Sequence, residues 1–136
     1  MSLSAIVGRA EFQIGTASFF KSFFSTVYVR LEGESWGSRF PVVMQDLYAG
    51  TVEPGRAPAA VAELRRMKEE LLSFPASDIV WDFEDRSARP PWGERISPRI
   101  TSLANYFVTS DGKDLIEVIL LAFQSSVEKQ KPLHIS

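Results

Sequence analysis

From Leu115 to Val127 the chain is apolar nearly all round, and no other stretch limits the possible folds so strongly. A helix with a single apolar stripe lies on a surface; one that is apolar over most of its circumference belongs in the centre of a fold, packed on two sides. Its greasiest part, Val118-Ile-Leu-Leu-Ala-Phe123, is far shorter than the roughly 20 residues that span a bilayer. The expectation is therefore the central helix of a soluble protein with no membrane partner. Asp111 and Asp114, three positions apart, resemble a capping box that would open it. With 136 residues, 45% of them hydrophobic and 24% charged, the chain is long enough for one respectable core and too short for two. No repeat or linker divides it, so residues 1–136 are expected to form one compact domain.

The remaining elements are read from periodicity and punctuation. Ile6 to Ile14 alternates as a half-buried strand, with Ile6, Ala10, Phe12 and Ile14 on one side and Gly15 as its end. Thr16 is placed to cap a short helix whose Phe19, Phe20, Phe23 and Phe24 form one stripe; such a stripe faces a core, or, if exposed, marks an interface. Thr26–Glu32 is β-branched and alternating, which predicts a second strand. After the turn-rich Gly33–Arg39, Pro41 suits the first position of a helix over Val42–Tyr48 ended by Gly50. Pro58 opens an amphipathic helix with Val61, Leu64, Met67 and Leu71 inside and the pairs Arg65–Glu69 and Arg66–Glu70 outside, ending near Phe74-Pro75. Ile79–Phe83 reads as a third strand, Ile96–Val108 as a helix followed by a brief extended piece, and Lys129–Ser136 as a frayed or loosely docked tail. The fold class that follows is α+β, a small antiparallel sheet packed against helices.

Charge and chemistry narrow the function classes. A formal charge of −2 gives no global basic field, so nucleic acid is not the expected partner. The absence of cysteine removes disulfides, thiolate metal sites and cysteine nucleophiles, and fits a cytoplasmic location. The first residues lack a basic region followed by a sustained apolar stretch, so no signal peptide is read. The one histidine, His134, sits in the expected tail, where nothing would hold a catalytic imidazole in register. No Gly-x-Ser-x-Gly elbow and no phosphate-binding glycine loop is present. No cofactor is expected, and no catalytic residue is assigned.

The segment Ile79-Val-Trp-Asp-Phe-Glu-Asp85, followed by Arg-Ser-Ala-Arg and Pro90-Pro-Trp-Gly93, gathers aromatics, carboxylates and a rigid turn. Tryptophan offers large apolar area at little rotamer entropy, and a double proline presents it without further ordering. On a strand Asp82 and Glu84 would share a face, so that with Asp85 they form a solvated strand end, an acidic patch for a basic protein partner, or a Mg²⁺ site for a small hydrolase. Trp36 and Trp92 are loop tryptophans beside glycine, each either a plug at the core edge or a binding contact. Arg39 is placed as a partner for the acidic strand end. A third alternative to binding and hydrolysis is a homo-oligomeric structural subunit that buries the phenylalanine stripe, and the oligomeric state is left open.

Ser18-Phe-Phe-Lys-Ser-Phe-Phe24, Gly37-Ser-Arg-Phe-Pro41 with Leu47-Tyr-Ala-Gly50, Val80-Trp-Asp-Phe-Glu-Asp85, Pro90-Pro-Trp-Gly93 and Asn105-Tyr-Phe-Val-Thr-Ser-Asp-Gly112 resemble, in that order, the bacterial immunity protein 70 family. Order and spacing carry the resemblance, from about Ser18 to the final helix. It implies a non-catalytic cytoplasmic protein that binds and neutralises the cognate toxin domain of a polymorphic or contact-dependent toxin system. It transfers no contact residues, so the candidates Trp36, Asp82, Glu84, Asp85 and Trp92 rest on physical reading alone.

Overall fold

Gly8 takes a φ of 58°, the conformation that a two-residue Gly-Arg hairpin loop requires at its first position. It breaks the single strand expected over Ile6–Ile14 into β1 (Ser2–Val7) and β2 (Ala10–Thr16), which pair antiparallel. Across the hairpin the inward parity changes: Val7 faces Ala10 and Ala5 faces Phe12, so Ala5 and Val7 are fully buried and Ile6 is not among the core residues. The computed structural model describes residues 2–93 and 95–136, with Met1 and Glu94 outside the described residues. Gly15 does not end the strand. It lies at an irregularity in the β1–β2 register with φ 145°, where a Cβ would stand 3.1 Å from the Phe19 ring.

Thr16 caps α1 (Ala17–Val27) by accepting a 3.1 Å hydrogen bond from the Phe19 amide, and Phe19, Phe20, Phe23 and Phe24 all enter the core. The second strand expected at Thr26–Glu32 is absent. The helix runs on as a π-helical turn, Tyr28–Glu32, and stops at Gly33 with φ 76°. Packing of the phenylalanine stripe, together with the hydroxyl contacts described below, outweighs the strand preference of Thr26, Val27 and Val29. Pro41 has a helical φ of −63° and leads into a second π-helical segment, Val42–Leu47. The first amides of that segment, Val42 and Val43, donate to the Glu63 carboxylate at 3.2 and 2.8 Å.

Glu63 belongs to α2 (Ala57–Leu71), which carries Pro58 in its first turn and buries Ala60, Leu64, Met67 and Leu71. α3 (Leu115–Lys129) packs against α2 on one side and against β1 and β2 on the other, as its nearly continuous apolar surface predicts, although Leu121 and Val127 stay exposed. Its cap pairs Asp114 with the Glu117 amide at 3.1 Å, not Asp111 with Asp114; Asp111 instead accepts from the Thr109 hydroxyl. The tail is ordered where fraying was expected. Leu133–Ile135 forms β4, which lies between β1 and β3 (Thr51–Val52) in an antiparallel sheet of order β2-β1-β4-β3. Sheet and helices share one connected core, an α+β fold. Among the described residues no helix is long and apolar enough to cross a membrane.

Two further expectations fail for a common reason, competition from side-chain hydrogen bonds. Over Ile96–Val108 the chain forms turns, not a helix: Asn105 Oδ1 accepts from the Thr101 and Ser102 amides, and Ser102 Oγ from the Ala104 amide, local bonds that displace the helical ladder. Ile79–Phe83 joins no sheet, because its backbone is bonded to α1.

Candidate functional site

Three hydroxyls on one face of α1 hold the segment that carries most candidate residues. Val80, buried, donates its amide to Thr26 Oγ1 at 3.1 Å, and its carbonyl accepts from Thr26 Oγ1 at 3.1 Å and Ser22 Oγ at 3.0 Å. The Phe83 amide donates to Ser25 Oγ at 3.0 Å. These contacts do the work of a neighbouring strand, satisfying buried backbone groups that would otherwise be left without partners. Residues 79–83 are thus fixed against a helix, and the turns that follow project from it.

Trp81 and Trp92 meet edge to face, ring centroids 5.4 Å apart at 85°. The Trp92 indole donates to Tyr106 Oη at 2.9 Å, and Tyr106 packs on Phe107, which packs on Phe23 in the core. Burial pushes the Tyr106 phenol above its ordinary value, with the Trp92 bond opposing. Trp92 is thereby anchored while 41% of it remains exposed, the combination of rigid support and free area that binding anchors have. Trp36 is more enclosed. Its indole donates to the Met44 carbonyl at 2.5 Å, and its ring touches Tyr28, Tyr48 and Phe83 with centroids 4.8 to 5.2 Å apart. These four rings line a shallow depression of about 450 Å³. The 79–93 segment so links the two tryptophans, Trp36 through Phe83 and Trp92 through Trp81.

The three carboxylates do not converge. Lys21 on α1 bonds Glu84 at 2.5 Å and reaches Asp82 at 3.3 Å, and these carboxylates, the Glu84 hydrogen bond first, raise the lysine's pKa against the effect of burial. Asp85 turns away to accept from the Ser87 hydroxyl and amide, which hold its carboxyl below the usual range. Asp82 and Glu84 do come together, but through the shared lysine and a 2.9 Å bond that the Glu84 amide donates to Asp82 Oδ1, not through alternation on a strand. Among the described residues no group of three or more His, Asp or Glu side chains is arranged to hold a metal ion.

Arg39 is not the partner of this acidic turn. Its guanidinium grips Glu70 of α2 with bonds of 2.7 and 2.5 Å and donates to the Leu31 carbonyl. The loop before it is organised by buried Glu32, which accepts from the amides of Gly37, Arg39 and Phe40. His134 lies on β4 and bonds Thr51 at 3.1 Å. The phenylalanine stripe is internal, which leaves it no surface for a subunit interface.

Sequence reading passed over the cations of the same region. Arg86 and Arg89 join Arg30 around a cleft of about 600 Å³ with Trp81 and Tyr106 in its walls, and Arg95 and Arg99 line a neighbouring depression. The signal was there: between residues 86 and 99 the chain has four arginines and a single acid, Glu94.

Over residues 5–135 the sequence matches the family model described as Immunity protein 70. No curated protein and no solved structure matches it.

Proposed function

The chain belongs to the immunity protein 70 family, and from that membership we propose that it is a non-catalytic antitoxin that binds a cognate bacterial toxin domain and occludes its functional surface. The family match over nearly the whole chain carries the reading. A cytoplasmic location, where the toxin would act, belongs to the same proposal.

The contacts we assign are Trp92 and Trp36, with Asp82, Glu84 and Asp85 between them. Trp92 is the strongest of the five, since its indole is already oriented by Tyr106 and binding would order little more. The Lys21 ammonium offsets part of the charge of Asp82 and Glu84, so their contribution is to orientation and association rate more than to affinity.

Co-expression with the toxin domain encoded beside it tests the proposal. Growth should be restored, the two proteins should co-purify, and Trp92→Ala should weaken the complex by about 2 kcal/mol, the scale of an interface hot spot, measured well below the melting temperature of the variant, which loses the Trp81 and Tyr106 contacts. Absence of both rescue and co-purification would overturn the function. Full affinity in the Trp92 variant would remove Trp92 from the interface and leave the function standing.

A further inference from the structure

We propose that the cleft lined by Arg30, Arg86 and Arg89 receives a carboxylate-rich segment of the protein partner. The inference rests on the preceding reading that the partner is a protein, and it adds the chemistry of the recognised segment.

Pairing and position together separate these arginines from other cations of the chain. Lys21, Arg39, Arg56, Arg66, Lys68 and Lys113 each have a carboxylate within 4.0 Å. Among the described residues, Arg30, Arg86, Arg89, Arg95 and Arg99 have none and gather around two adjoining depressions; Arg9, Arg65, Lys129 and Lys131 have none either but line neither depression. Neutral groups orient two of them instead. The Arg30 Nε donates to the Asp78 carbonyl at 2.8 Å, and Arg89 Nη1 to the carbonyls of Arg86 and Ala88 at 3.1 Å. A carbonyl fixes a guanidinium without neutralising it, so its remaining N–H groups stay free for an anion.

The setting selects the kind of anion. No carboxylate lines the cleft among the described residues. In the adjoining depression, which holds Arg95 and Arg99, the one acid among the described residues is Asp114, already engaged by Lys68 and by the Glu117 amide. Guanidinium forks match carboxylates in a bidentate, planar fashion, and the Trp81 and Tyr106 walls suit an apolar side chain beside them. A nucleic acid instead requires a track of cations that neutralises successive phosphates, whereas these arginines border two compact depressions on a protein of net charge −2. An acidic loop with an apolar residue fits both the charge and the walls.

The test uses the whole chain and the purified toxin domain. Arg86→Glu with Arg89→Glu should slow association at least about tenfold at low salt, with the difference shrinking at high salt. Arg9→Glu, in the β1–β2 loop, should associate as wild type does. Arg95→Glu with Arg99→Glu serves as a second reversal should the first pair lower the melting temperature. Wild-type association rates in the Arg86/Arg89 reversal, or in the second reversal where the first lowers the melting temperature, would overturn this inference while leaving the antitoxin reading intact. Failure of the wild-type chain to bind the toxin would overturn both. Tight binding of a short RNA or duplex DNA by the wild type at physiological salt, lost in the reversals, would assign the cleft to phosphate and overturn the acidic segment.

Discussion

Glu63 and Glu70, both on α2, respond to acid in opposite senses. Burial pushes the Glu63 carboxyl above its ordinary 4.5, with the hydrogen bonds from Val43 and Val42 opposing. The folded state therefore holds that proton more tightly than the unfolded chain does; this contribution favours the fold below 4.5 and is lost as pH rises through the folded value. The Arg39 guanidinium holds Glu70 below 4.5 against burial, so its contribution is present above 4.5 and is lost as pH falls through the lowered value. Glu70→Gln should then be less stable than wild type at neutral pH by under about 1 kcal/mol, the range of partly exposed ion pairs. Urea midpoints measured down the acid range should show that gap closing; a gap that widened in acid would refute the assignment. At this scale the sequence was informative about local contacts, though Arg65 and Glu69 do not pair as Arg66 and Glu70 do, and it misplaced the distant partner of Arg39. Thr16 as a cap and Arg66–Glu70 as a pair follow from spacing within one helix, whereas the reach of Arg39 to Glu70 and of Lys21 to Glu84 depends on how α1, α2 and the turns pack.

α1 and the 79–83 segment form one unit at the scale of elements. Thr26→Val keeps the shape of the side chain but leaves the buried Val80 amide without its acceptor, which should cost about 1–3 kcal/mol. Thr26→Ser should recover most of it. Hydrogen exchange at Val80 and Phe83 provides the check: protection should fall in the valine variant and return in the serine one, and equal protection in both would show that the hydroxyl does not hold the segment. The same arrangement explains why α2 and α3 were legible and the strands at Thr26–Glu32 and Ile79–Phe83 were not. Helical periodicity reports a buried face directly: α2 buries Leu64, Met67 and Leu71 of its stripe with Val61 at the edge, and α3 buries most of its apolar run, Leu121 and Val127 excepted. Aromatic and β-branched content reports only that a segment suits a half-buried extended path. It does not distinguish a backbone bonded to another strand from one bonded to the serines and threonine of a helix, which is why Trp81 and Phe83 were recognised as important and assigned to the wrong element.

At the scale of the whole molecule, β4 is the piece that joins the sheet. It lies between β1 and β3, and its Leu133 is fully buried. Losing that side chain alone is worth about 2–5 kcal/mol, against a total of about 5–15 kcal/mol for a domain of this kind. Deleting Leu133–Ser136 should therefore lower the urea midpoint sharply or abolish the cooperative transition. An unchanged midpoint would show that the strand is dispensable. The stretch Lys-Pro-Leu-His-Ile-Ser gives little sign of this, since three residues are too few for alternation to register and their partners, β1 and β3, lie far away in the chain. The order of the sheet also sets a clock. β1 is made long before its partner β4, so one edge of the β1–β2 hairpin stays unpaired over that interval. At about 5–20 residues per second that interval is roughly 10 s. Each new molecule thus passes through a period in which the free hairpin edge is exposed to mispairing and the sheet is incomplete.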